Sequence, residues 1–136
     1  MAVWKQLYVM VWLAFLQIII IVVDIPGFKQ YLVYAHTFLG LIILALAHYN
    51  NVKIKKTSAP DRLKRIAKAT AILATLQPIL GIILLANMML PSGIPFIGVV
   101  SFLHVANALA IITQASSVAT AYDMWEDKEY TTPPKT

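Results

Sequence analysis

Three long apolar stretches divide the chain, and the charged residues lie in the segments between them. No Asp, Glu, Lys or Arg occurs between Gln6 and Val23, between Gln30 and Val52, or between Ala69 and Tyr122. A membrane-spanning helix needs roughly 20 apolar residues. The third stretch is long enough for two such helices, and Pro91-Ser-Gly-Ile-Pro95 interrupts it where a turn is needed. The pattern therefore predicts four spans, at about 4–23, 30–50, 66–90 and 96–122.

The predicted fold is an all-α, integral membrane four-helix bundle with up-down-up-down topology. Residues 1–122 form a single transmembrane domain, and residues 123–136 form a polar cytoplasmic tail. The composition agrees, because 60% of the residues are hydrophobic and only 12% are charged. The apolar run of the first span exceeds that of a signal peptide, and no small-residue cleavage site follows it. We expect this first span to be retained.

Basic residues are concentrated between the second and third spans. Seven of the eleven lie there: Lys53, Lys55, Lys56, Arg62, Lys64, Arg65 and Lys68. The positive-inside rule predicts that this loop is cytoplasmic, and both termini with it. The net charge of +5 is therefore interpreted as a topology signal of a multi-pass cell (plasma) membrane protein, with the lipid bilayer as its partner and no nucleic acid.

Two histidines inside the predicted spans are the candidates for chemistry. An ionisable side chain at membrane depth is costly and marks a functional-site candidate. His36 lies roughly 9 Å below the outer end of the second span and His104 roughly 12 Å below that of the fourth, at 1.5 Å per residue. These depths agree within one helical turn. His48 lies roughly 18 Å further in, so we expect an interfacial, structural role for it.

Helices 2 and 4 of an up-down-up-down bundle are parallel and diagonally opposed, so two histidines at equal depth face each other across the core. This arrangement suits axial ligation of haem iron, which bundle cores often house. Gly40 and Ala108 follow their histidines by four residues on the same helix face and leave room for a ring edge. We therefore predict His36 and His104 as the ligands of a haem, b-type in the first instance, with haem O or haem A as alternatives.

Several further side chains are candidates for the surroundings of this site. Asn107, Asn87 and Tyr34 are polar groups that could meet propionates or orient an imidazole. Gln17 is expected to make a helix–helix hydrogen bond, and Pro78 to bend the third helix. The expected apolar walls are Phe38, Phe102 and Met88 or Met89.

Other interpretations of the histidine pair remain open. The two side chains could be hydrogen-bonded packing residues without any cofactor. A zinc or copper site lacks a third ligand of suitable type at the same depth, and the chain has no cysteine. A thiolate site, a disulfide and c-type haem attachment are thereby excluded.

The helix order and histidine placement resemble the haem A synthase family. The matching segments are His36-Thr-Phe-Leu-Gly40 on helix 2, Leu76-Gln77-Pro78-Ile-Leu-Gly81 on helix 3 and Leu103-His104-Val-Ala-Asn107 on helix 4. Full-length members resemble two fused four-helix halves, each with a haem-binding histidine on its second and fourth helices, and half-length members have one bundle. The resemblance covers most of residues 4–122.

The resemblance implies an enzyme that oxidises a methyl group of haem with oxygen, with His36 and His104 as ligands. It also implies a helix-2 glutamate three residues before the histidine, where this chain has Val33, and an arginine after the histidine, where it has Thr37. The catalytic residues are therefore not assigned.

Three functional hypotheses follow. The first is a haem A synthase-like membrane enzyme that receives electrons from a quinol or a protein partner. The second is a b-type cytochrome or accessory subunit of a respiratory terminal-oxidase or quinol-oxidising complex, without catalysis of its own. The third is a cofactor-free structural subunit or a small transporter, and a homo-oligomer is compatible with all three.

Overall fold

The chain forms four long helices in the computed structural model, which describes residues 2–23, 25–90 and 92–131. They are α1 (Val3–Val22), α2 (Lys29–Lys55), α3 (Asp61–Met89) and α4 (Ile97–Thr131). Each is long and apolar enough to cross a membrane, and the described residues contain no strand. The prediction of an all-α protein with four membrane-spanning helices is confirmed. Expectations for Asp24, Pro91 and residues 132–136 lie outside the described residues, as do the side chains of 130 and 131.

The helices pack as a four-membered bundle. Helix α1 contacts α2 and α4, and α3 contacts the same two helices. Within the described residues, α2 makes no close backbone contact with α4, nor α1 with α3, so these pairs are the diagonals. Hydrogen bonds join Gln77 of α3 to His104 of α4, and Thr70 to Gln114. Residue numbers thus fall along α3 as they rise along α4.

The core is a stripe of buried positions spaced alternately three and four residues apart on each helix. This spacing keeps one face of an α-helix turned toward its neighbours. On α2 the stripe contains Ile43, Ala47, Asn50 and Ile54. On α4 it includes Ile111, Ala115, Val118 and Tyr122. The same spacing continues toward lower residue numbers. It includes Gly40 and His36 on α2, and Ala108 and His104 on α4, so each histidine lies on the core-facing side of its helix.

The helices run beyond the predicted spans. Helix α2 continues to Lys55, α3 begins at Asp61, and the polar segment after Tyr122 continues α4 to Thr131. Hydropathy marks the part of a helix that lipid can accept, whereas backbone hydrogen bonding continues into water wherever propensity allows. An apolar run therefore predicts where the membrane-spanning part of a helix ends, and it does not predict where the helix itself ends.

Short connections close the bundle at both ends. Gly27 and Gly93 adopt φ angles of +80° and +68° in the two short turns, a region that glycine enters without steric cost. In the α3–α4 turn the Asn87 side-chain oxygen accepts a hydrogen bond from the backbone nitrogen of Ile94 at 2.6 Å. Helix α3 continues without interruption through Pro78.

Candidate functional site

The imidazoles of His36 and His104 lie next to each other in the core, although their helices are diagonal in the bundle. Their ring centroids are 6.1 Å apart and their planes are inclined at 48°. His48 is not part of this pair, because its Nε2 lies 2.9 Å from the Thr75 hydroxyl. That hydroxyl donates its only hydrogen to the Ala71 carbonyl, so His48 donates to Thr75. The structure therefore brings together the two predicted histidines and separates the third.

His36 is held by Gln17 of α1 through two reciprocal hydrogen bonds. The His36 Nδ1 lies 3.1 Å from the Gln17 backbone oxygen, and the Gln17 side-chain nitrogen donates to the His36 backbone oxygen at 3.0 Å. A carbonyl only accepts, so Nδ1 carries the proton. The expected helix–helix hydrogen bond of Gln17 is present, and it fixes the ring of a candidate ligand.

His104 is held in a related way by Gln77 of α3. The Gln77 side-chain nitrogen donates to the His104 backbone oxygen at 3.1 Å and lies 3.3 Å from the His104 Nε2. An amide nitrogen only donates, so the Nε2 of His104 is an acceptor with its lone pair turned to Gln77. Each histidine is thus paired with a glutamine of the helix preceding its own.

Asn107 fixes the orientation of the Gln77 amide. Its side-chain nitrogen donates to the Gln77 side-chain oxygen at 2.6 Å and to the Leu73 backbone oxygen at 2.9 Å. With its oxygen engaged in this way, the Gln77 amide turns its nitrogen to His104. Asn107, a predicted site residue, therefore acts on the imidazole through Gln77 and does not itself line the cavity described below.

The two imidazoles share one tautomeric state. Nδ1 of His36 donates to a carbonyl, and Nε2 of His104 accepts from an amide, so each neutral ring has its proton on Nδ1 and its lone pair on Nε2. Metal-bound histidines are commonly held in this state, with the second nitrogen donating to a carbonyl. The Nδ1 of His104 is buried without a hydrogen-bond partner among the described residues.

A cavity of about 180 Å³ adjoins the two rings. One small residue from each helix lines it, and Ile43 and Ile111 lie further along the same stripes. The small residues are Ala14, Gly40, Ala74 and Ala108. Since each occupies a core position where a larger side chain would fill space, the cavity is a direct result of four small residues at one level.

The donor set fits a bis-histidine haem. Two imidazoles that bind one metal ion with nitrogens at about 2 Å have ring centroids roughly 6 Å apart, and the observed separation is 6.1 Å. The volume is smaller than the roughly 300–1,000 Å³ of pockets that enclose whole cofactors or drug-sized ligands. The cavity as it stands is therefore too small to enclose a whole porphyrin.

The predicted apolar walls are wrong. None of Phe38, Phe102, Met88 and Met89 lines the cavity, and all four are between 65% and 75% exposed. Helical spacing explains the error for Phe38 and Phe102, which lie two residues from His36 and His104 and therefore on another face of their helices. The apolar side chains that do line the cavity include Ile18 and, at its exposed rim, Ile21, Val22 and Val105.

The remaining predicted polar groups have local partners. Asn87 is engaged in the α3–α4 turn, as described above. The Tyr34 hydroxyl, on an exposed side chain, receives a hydrogen bond from Gln30 at 2.8 Å. Val33 does not line the central cavity but a separate groove between α1 and α2. Neither Asn87 nor Tyr34 contacts either imidazole.

Three site residues were not identified as such from the sequence. Ala14 and Ala74 complete the layer of small residues, and Gln77 was noted only as part of a motif. Their positions in the sequence could have identified them, since each lies on the three–four spacing of core positions in its helix, at the level of the histidines. Among the described residues no group of three or more His, Cys, Asp or Glu side chains could hold a metal ion.

Fold and site together define a multi-pass, four-helix membrane protein with a paired-histidine core. Comparisons with protein-family models, with curated proteins and with solved structures each find no match for this chain. The functional argument therefore rests on the geometry of the site.

Substitution of Gly40 tests the pairing of Gln17 with His36. A Cβ at Gly40 would lie 2.8 Å from the Gln17 side-chain nitrogen, so Gly40→Ala should displace that amide and break its bond to His36. We expect a loss of about 1 kcal/mol of stability, measured by thermal unfolding in detergent. Gly81→Ala is the matched control, because its Cβ would meet His104 at an ordinary 3.5 Å. Equal destabilisation by both changes would contradict the close contact.

Ala108→Leu tests whether the cavity is real. The larger leucine side chain should extend into the cavity without displacing its neighbours, so the protein should retain or gain thermal stability. Ala115 lies one heptad further along α4, is 1% exposed and does not line this cavity, so Ala115→Leu should cost about 1–3 kcal/mol by overpacking. Equal losses for the two variants would show that the space beside Ala108 is filled.

Proposed function

We propose that the chain is a haem-binding membrane protein of the haem A synthase type, with His36 and His104 as the two axial ligands. The observation that carries the proposal is the shared tautomeric state of two adjacent imidazoles. In each ring Nε2 carries the lone pair, which on His104 accepts a hydrogen bond from the Gln77 amide, and the centroid separation of 6.1 Å is close to that of two imidazoles bound to one ion. A pair of histidines that merely packed helices together would not need to present the same nitrogen.

The residues around the rings have distinct roles in this proposal. The Gln17 backbone carbonyl, by accepting a hydrogen bond from Nδ1–H, orients His36 and leaves the lone pair on Nε2. Gln77 has to release the Nε2 of His104 for ligation, while its bond to the His104 backbone oxygen can remain. Gly40 and Ala108 leave room for a ring edge, and the apolar lining excludes water. A haem bound there would supply a one-electron redox couple.

The proposed topology places the site toward the outer face of the cell membrane. The basic α2–α3 loop then lies in the cytoplasm, where the positive-inside rule favours it. Alternating helix directions, supported by the opposed numbering of the α3–α4 hydrogen bonds, put both termini on the same side. His36 and His104 are then in the half of the bundle nearest the Gly27 and Gly93 turns.

A second candidate is a b-type cytochrome or accessory subunit of a respiratory oxidase or quinol-oxidising complex. Val33 favours it, because the resemblance implies a carboxylate there for oxidation of the haem methyl group. Without an acidic side chain beside the imidazoles, the site has the groups needed to hold haem and pass one electron. A quinol or an oxidase subunit would be the electron donor in either case.

Histidine substitutions test the ligand assignment. We expect a reduced-minus-oxidised spectrum with a sharp α band for the purified protein, lost in His36→Ala and in His104→Ala. His48→Ala is the matched control and should keep the band, because His48 bonds to Thr75 away from the pair. A band that survives loss of His36 but not of His48 would overturn the assignment.

Ala108→Leu provides a readout that does not depend on removing a ligand. The variant should remain folded yet bind less haem, since leucine occupies the space proposed for the ring edge. Pyridine haemochrome analysis of the wild type then separates the two candidates. Haem O or haem A in the extract favours the synthase type, haem B alone favours the electron carrier, and no haem from haem-replete cells contradicts both.

A further inference from the structure

A second buried polar site lies on α2, away from the histidine pair. Asn50 is only 1% exposed, and neither its side-chain oxygen nor its side-chain nitrogen has a hydrogen-bond partner among the described residues. Asn50 belongs to the same core stripe as His36 and follows it by fourteen positions, or about 21 Å along the helix. It therefore cannot take part in the site proposed above.

The unpaired amide is unusual for its surroundings. Among the residues that the structure describes, three polar side chains are buried; Thr70 and Asn107 are hydrogen-bonded within this set, whereas the Asn50 side chain is not. Leaving a buried donor or acceptor unpaired is destabilising. An apolar side chain of similar size would avoid this cost, so the asparagine needs a partner that the described residues do not provide.

The neighbouring residue provides further hydrogen-bonding capacity. The side-chain oxygen of Asn51 is also buried and unpartnered among the described residues. The two asparagines are adjacent on α2, one turn before the exposed Lys53 and Lys55. Together they offer amide donors and carbonyl-type acceptors at the end of the bundle where the basic loop begins.

We propose that Asn50 and Asn51 bind internal water at this end of the bundle. Water both donates and accepts, as the Asn50 amide requires, and buried waters typically make about three hydrogen bonds. A monovalent cation is disfavoured, because the nearby charges on α2 are the lysines and neither asparagine carries a compensating negative charge. The proposal rests on the unpaired amides alone and is independent of haem binding.

The sign of a stability change tests the proposal. If water pairs with Asn50, Asn50→Leu removes those hydrogen bonds and should lower the Tm in detergent by several degrees. If the amide is dry and unpaired, the same change removes a penalty and should raise the Tm, which would overturn the proposal. Ile54→Leu, at a fully buried position of the same stripe, measures the effect of leucine shape alone.

A second measurement uses the wild-type protein and therefore survives a variant that fails to fold. Water-edited solid-state NMR in deuterated lipid should show rapid magnetisation transfer from water to the Asn50 side-chain nitrogen. The Gln77 side-chain nitrogen is the internal control, because its hydrogens are directed to His104. Transfer as slow at Asn50 as at Gln77 would contradict the proposal. A Tm that depends on sodium or potassium, compared with choline at equal ionic strength, would assign the site to a cation instead.

Discussion

The arrangement of this protein depends on the need to satisfy polar groups in a medium that offers them no partners. Hydrocarbon provides no hydrogen bonds, so each core histidine must find its partner within the bundle. Gln17 meets this need at the Nδ1 of His36, and Gln77 meets it at the Nε2 of His104. In both cases a glutamine amide donates to the backbone carbonyl of the histidine, which fixes the helix as well as the ring. The helix–helix register and the orientation of the candidate ligands are therefore set by the same contacts.

The small residues that line the cavity beside the histidines determine how much empty space the core of the bundle contains. Were Gly40 and Ala108 as large as Ile43 and Ile111, the core would be continuous from one end to the other. Dense packing is the rule in protein interiors, so a cavity at one level of four helices requires small side chains on all four. The glycine has an added role, since only a residue without a side chain lets the Gln17 amide approach α2.

The sequence predicted the helices and the meeting of His36 with His104, because both follow from long-range regularities. Apolar runs fix the number of spans, and equal depth on alternate helices fixes the pairing. The apolar walls of the site were predicted wrongly. To decide whether Phe38 or Phe102 faces the cavity, one must know how each helix is rotated about its own axis, and the apolar runs do not give that rotation. The role of Gln77 was missed for a different reason. Its partner lies on another helix, and no local pattern indicates which of several polar residues an amide will reach.

The paired amides also bear on how the bundle assembles. Gln17 and His36 are 19 residues apart and belong to the hairpin of α1 and α2, whereas Gln77 and His104 are 27 residues apart and belong to that of α3 and α4. Each hairpin thus satisfies its own histidine as soon as two consecutive helices have entered the bilayer. The contact between the two imidazoles forms only when the hairpins associate. Each hairpin can therefore be hydrogen-bonded on its own, whereas the pair of histidines exists only once both hairpins are packed together.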